Sequence, residues 1–123
     1  MKTIEKTGLK GELFAREYFK NEGYSILEQN WTFQKTEIDL IVQKENTICF
    51  VEVKTRNENC KIDPALSVST GQQKRIISGA HQYIEQHSLD QEIRFDIIGI
   101  KYKKGQFKLE HIKEAFYPTI DKA

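Results

Sequence analysis

Thr36–Arg56 reads TEIDLIVQKENTICFVEVKTR. Two runs rich in Ile, Val and Phe, split by the polar Lys44-Glu45-Asn46, predict two antiparallel strands joined by a tight turn. Successive side chains of a strand point to opposite faces. Glu37, Asp39 and Ile41 therefore share one face, and Ile38, Leu40 and Val42 the other. In the second run Phe50, Glu52 and Lys54 share a face, opposed to Cys49, Val51 and Val53. A one-residue slip would turn a hydrophobic set to the wrong side, so odd positions of the first strand must oppose even positions of the second. A turn at Glu45-Asn46 then sets Asp39 across from Glu52, and Glu37 across from Lys54. Registers shifted by two residues need a more lopsided loop.

Directly opposed side chains have Cβ atoms ~4.5–5.5 Å apart, and like charges there destabilise a sheet. Asp39 and Glu52 are thus a liability unless a cation sits between them. Mg²⁺ takes oxygen ligands, commonly one or two carboxylates plus substrate phosphate. The competing explanation is a ladder of ion pairs on a solvated sheet face, and a lone Glu52-Val53-Lys54 is no more than chance supplies in a chain rich in Glu and Lys. Ile41 and Phe50 share the acids' face and imply cover, and buried carboxylates without partners are costly. On the residues alone, both explanations stand.

Outward from these strands, Leu9, Leu13, Phe14, Ala15, Tyr18 and Phe19 recur at helical spacing, with Gly23 as a C-terminal stop. YSILEQNWTF reads as a strand. NENCKIDPALSVS is a loop punctuated by Asp63-Pro64. TGQQKRIISGAHQYIEQHS resumes helical spacing, and EIRFDIIGIKY and QFKLEHI are strands joined at KKG. The order helix, three strands, helix, two strands predicts an α/β fold, a central mixed sheet flanked by helices. At 123 residues the chain is expected to form a single domain over 1–123.

Hydrophobic content of 38% and charged content of 30% fit a globular protein. No apolar run approaches the ~20 residues that span a bilayer, so no membrane partner is expected. The start MKTIEKTGLKGE lacks the apolar centre of a secretory signal, which makes the cytoplasm the expected location. Cys49 and Cys60 have neither disulfide-scaffold nor zinc-site spacing. The net charge of +1, from 19 basic and 18 acidic residues, gives no bulk grip on nucleic acid. Lys101–Lys108, KYKKGQFK, nevertheless holds four lysines and no acid, and Lys54, Arg56, Lys61, Lys74 and Arg75 make a second basic cluster. Either run is also compatible with a solvated surface.

Asp39 followed by Glu52-x-Lys54 at the end of the next strand resembles the PD-(D/E)xK nuclease superfamily. More closely, GELFAREYF, Asn30-Trp31, EIDLIV, FVEVKTR, the QQKRI helix and RFDIIGI are similar to the YraN-like family of small endonuclease-like proteins. These are relatives of archaeal Holliday-junction resolvases, and the resemblance runs from about Gly8 to Phe116. It implies a restriction-endonuclease-like fold and attack of water on a phosphodiester, dependent on Mg²⁺ or Mn²⁺. DNA, branched or otherwise structured, is the implied nucleic-acid substrate. Asp39 and Glu52 match the metal-binding carboxylates, Lys54 the lysine that orients or deprotonates the attacking water, and Glu12 an acid that completes the metal environment. The chain departs from the pattern at Ile38, where the superfamily has proline, and at Thr36, where the family has glycine. The alternative function is a nucleic-acid-binding module that has kept the fold and lost the chemistry.

Further candidates each carry a structural explanation. Glu37 is a supporting acid or an ion-pair partner of Lys54. Gln73, Lys74 and Arg75 on the second helix are placed to touch phosphate, as is Arg56, or are solvated. Glu92, Arg94 and Asp96 read as a structural network. His81, His87 and His111 lack metal-ligand spacing. Two-fold substrates suit two-fold dimers, so a homodimer is left open.

Overall fold

The computed structural model describes residues 3–118, with side chains from Gly8 onward. Residues 1, 2 and 119–123 of the expected domain lie outside the described residues. The elements are helix α1 (Thr3–Asn21), strands β1 (Ser25–Phe33), β2 (Thr36–Lys44) and β3 (Thr47–Asn57), a 3₁₀ turn η1 (Pro64–Ser67), helix α2 (Thr70–Gln86), and strands β4 (Glu92–Lys103) and β5 (Gln106–Phe116). The strands form one five-stranded sheet in the order β1-β2-β3-β4-β5. Three neighbouring pairs are antiparallel, and β3 runs parallel to β4. A mixed sheet flanked by two helices is the expected α/β architecture, and it is compatible with a restriction-endonuclease-like fold.

Local chemistry sets the boundaries. Gly23 adopts φ +89°, its N–H donates to Lys20 O, and Tyr24 N–H donates to Phe19 O at 2.9 Å. That pattern is a Schellman stop, which spares α1 its orphan carbonyls. The β2–β3 turn is the tight one expected: Lys44 pairs with Thr47, and Glu45 takes φ +55°. At α2, Ser69 Oγ accepts from Gln72 N–H as an N-cap.

The sheet carries a core on each face. Beneath α2, Ile41, Phe50, Ile76, Ala80, Tyr83, Phe95 and Ile97 pack together. Beneath α1, Ala15 and Phe19 pack with Leu40, Val42, Cys49, Val51, Val53, Ile98 and Ile100. Alternation thus sorts β3 as expected. Ile38 is the exception, because it joins the α2-side core rather than the face of Leu40 and Val42. The face changes at Asp39, where β2 leaves β3.

Candidate functional site

The β2–β3 ladder pairs Leu40 with Val51, Ile41 with Phe50 and Val42 with Cys49. This is the register that, carried one pair further, sets Asp39 against Glu52. The ladder stops at Leu40–Val51, while β2 continues against β1 to Thr36–Phe33 and β3 continues against β4 to Asn57–Tyr102. The two strands therefore splay, and the edge of β3 beyond Val51 loses its backbone partner. Asp39 Oδ2 meets that loss by accepting from Val53 N–H at 2.8 Å.

Glu52 is 8% exposed. Its Oε2 accepts from Gln72 Nε2 at 2.8 Å and lies 3.5 Å from Lys54 Nζ. Its Oε1 is buried and has no hydrogen-bond partner among the described residues. Buried polar atoms without partners are rare in native structures, so this oxygen stands out as having acceptor capacity to spare. A cavity of about 200 Å³ is lined by Glu37, Asp39, Glu52, Gln72 and Arg75, together with Lys35 and Thr36.

The electrostatics follow from burial. Desolvation, then the Glu52 charge, push Asp39 up from the ordinary carboxylate range to about 8, against the Val53 hydrogen bond; Glu12 and Glu37 add to the rise. Burial also raises Glu52, but Lys54 and Gln72 stabilise its ionised form. Burial and the neighbouring acids therefore favour the protonated form of Asp39. Glu12, on α1, is raised by burial and by Glu37, opposed by a hydrogen bond with Asn30.

Glu12 is half-buried and approaches from the α1 face, where it lines a separate cavity of about 450 Å³ with Val53, Thr55, Arg56 and Tyr102. Its neighbour Gly11 permits that approach, since a Cβ there would overlap the Thr55 side chain. Among the described residues no three His, Cys, Asp or Glu side chains converge into a ready-made metal cluster. Asp39 and Glu52 share one cavity, and the Glu12 charge acts on Asp39 from outside it.

The remaining candidates divide. Lys54 pairs with Glu52 rather than Glu37, because the splay ends the ladder before Glu37 reaches it. Gln73 Nε2 donates to Val68 O and secures the loop before α2, so the glutamine at the acids is Gln72. Arg75 lines the acid cavity, whereas Lys74 is exposed elsewhere on α2. Arg56 is exposed at the strand edge and donates to Thr55 O. Thr36 rests against α2 at Gly79, where a Cβ would come within 3.2 Å of its methyl, so the helix glycine accommodates the departure from glycine at 36. Lys35 and Gln72 are the cavity residues the sequence reading did not single out. Lys35 follows Gln34, at φ +55° in the β1–β2 turn, and nothing in the sequence sets the aim of that turn.

A family model described as "Uncharacterised protein family UPF0102" matches residues 11–100. A UPF0102 protein of Flavobacterium psychrophilum is 44% identical over 110 residues, covering 89% of this chain and 92% of its own. One from Chlorobium chlorochromatii is 40% identical over 116 residues, with 89% and 90% covered. One from Parabacteroides distasonis is 38% identical over 110 residues, with 89% and 91% covered.

Proposed function

The chain belongs to the UPF0102 family, the YraN-like group, and from that premise we propose that it is a divalent-cation-dependent endonuclease acting on phosphodiester bonds of DNA, with branched or otherwise structured DNA as its substrate class. The orphaned Oε1 of Glu52, beside the Asp39 carboxylate in one cavity, carries this reading. The donor set fits a hard cation, since Mg²⁺ or Mn²⁺ binds through one or two carboxylates when substrate phosphate supplies further oxygens. Asp39 and Glu52 would hold it.

A cation bound there supplies a polarised phosphoryl oxygen and an acidified water. The chain supplies the rest. Gln72 and Lys54 fix Glu52 through Oε2 and leave Oε1 for the cavity. Lys54 Nζ, 3.5 Å from Glu52, brings a positive charge to orient the attacking water and offset negative charge on the phosphoryl group. Glu12 and Glu37 add negative potential that favours cation entry.

Incubation with plasmid, flap and four-way junction DNA in Mg²⁺ or Mn²⁺ tests the proposal. Cleavage is expected with the native chain, and Lys54→Ala should lower its rate by ~10²–10³-fold, the order of one preorganised charge-stabilising group. Glu52→Ala should abolish it. Cleavage that survives Glu52→Ala places the chemistry elsewhere, and DNA binding without cleavage under any divalent ion leaves a binding module.

A further inference from the structure

The β4–β5 hairpin carries a charge that the acid cavity does not explain. Lys101 and Lys108 are direct cross-strand partners, so both leave the same face of the sheet, and both are exposed. Like charges at opposed positions destabilise a strand pair. Lys103, next on that face, is neutralised by Glu58 at 3.5 Å. Lys101, Lys108 and the turn residue Lys104 make no ion pair among the described residues. Lys101 and Lys108 line two adjoining depressions, of about 300 Å³ toward Lys104 and about 210 Å³ toward Pro64. The acids there are Glu58, already paired with Lys103, and Glu110.

The placement relates this patch to the acids. Glu52, Lys54 and Arg56 pair in register with Ile97, Gly99 and Lys101. The lysine pair therefore stands on the Glu52 face, four residues along the strand direction and one and two strands across. At ~3.3 Å per residue and ~4.8 Å per strand, it lies ~14–16 Å from Glu52. Between them η1 lies flat on the sheet, because Pro64 occupies the space a Cβ on Gly99 would fill. One strand of duplex DNA advances 3.4 Å per phosphate along its axis, so ~14–16 Å corresponds to four or five phosphates.

We infer that Lys101 and Lys108, flanked by Lys104, form a second phosphate seat, which takes the backbone of a DNA duplex four to five base pairs from the phosphate held at Glu52. The seat takes its partner from the nuclease reading, and it serves affinity and placement rather than chemistry. Phosphate contacts of this kind position a protein on a duplex without reading its sequence.

Anisotropy titrations of labelled duplex DNA across a salt series, without divalent ions, test the seat. On B-DNA the slope of log affinity against log salt changes by ~0.9 per phosphate contact. Lys101→Gln/Lys108→Gln should therefore flatten the slope by about two. Lys101→Arg/Lys108→Arg should keep the native slope, and so should Lys103→Gln. An unchanged slope in the double glutamine variant overturns the seat, even where the native chain cleaves. Preference for single-stranded RNA with the same slope loss overturns the duplex assignment. Native binding without cleavage, with the slope loss intact, supports the seat and refutes the nuclease. No binding of the native chain at low salt removes both.

Discussion

At Asp39 and Glu52 a half-buried and a buried acid share one cavity, and the consequences are measurable without a substrate. Folding lifts Asp39 from about 3.8 to about 8 through desolvation and the Glu52 charge. Between those values the folded chain binds more protons than the unfolded one, so this contribution to stability is present at low pH and lost as pH rises through the window. Thermal melting of the cation-free protein should show that loss between pH 5 and 8, both within the stated window. Asp39→Asn, whose amide oxygen still accepts from Val53 N–H, should flatten the curve and raise Tm at pH 8, with each ~1 kcal/mol worth roughly 4 °C in a domain of this size. A native slope retained in Asp39→Asn contradicts the assignment. Asp39, Glu52 and Lys54 were legible in the sequence because alternation and a two-residue turn leave few registers. Gln72 was not, since adjacent helix residues point ~100° apart and only the packing of Ile76, Ala80 and Tyr83 fixes the phase of α2.

Strand β5 shows what pattern reading misses at the scale of elements. It extends past the expected QFKLEHI to Phe116, which stacks on Phe95 at 5.2 Å. The extension includes an irregular register between Phe95 and Ile97 and a Glu114 at φ +50°. Its purpose is visible at Asp96, which is fully buried. Burial opposes the ionised carboxylate, but His111 Nε2 at 2.7 Å, Arg94 and the Glu114 N–H together hold it below the ordinary range. Tyr24 Oη accepts from Arg94, and Tyr18 Oη lies 2.8 Å from His111 Nδ1, tying β4 to the connection after α1 and β5 to α1 itself. Alternation put Glu92, Arg94 and Asp96 in one network, but Glu92 is exposed outside it, and His111 belongs to it. A hydrogen bond between residues on separate strands, set by a bulge, leaves no periodic trace. Asp96→Ala should destabilise by ~3–5 kcal/mol in chemical denaturation, because it leaves the half-buried Arg94 guanidinium and the buried His111 ring without their shared acceptor. Asp96 is depressed, so its stability is present above its unfolded value and lost as pH falls through the folded one. Asp96→Ala should accordingly lose most at neutral pH and converge on the native protein under strong acid. A loss below ~1 kcal/mol at neutral pH would show that the network does not hold the strands.

Across the whole molecule, the two cores hold β3 and β4 centrally while β2 leaves β3 at one end, and that divergence opens the cavity. Both helices, the strands and the antiparallel β2–β3 pairing follow from hydrophobic periodicity, whereas the full strand order, with its parallel β3–β4 pair, was not legible there. The splay was not either, because it depends on Ile38 changing sides to reach α2. Among the described residues no helix is long and apolar enough to cross a membrane. The near-neutral total charge hides a division into a cavity lined by Glu37, Asp39 and Glu52 and a lysine-rich hairpin. Gly99 keeps η1 seated between the two. Gly99→Val should speed amide hydrogen exchange at residues 65–67 and their flanks while the sheet stays protected, and unchanged exchange there would show that the turn is held from elsewhere. The central claim, that Asp39 and Glu52 take a divalent cation together, is reached most directly by Mn²⁺ line broadening of backbone amide resonances. The predicted result is broadening centred on Asp39, Glu52 and Val53 that disappears in Glu52→Gln and is competed by Mg²⁺. Broadening centred elsewhere, or unchanged in Glu52→Gln, would contradict it.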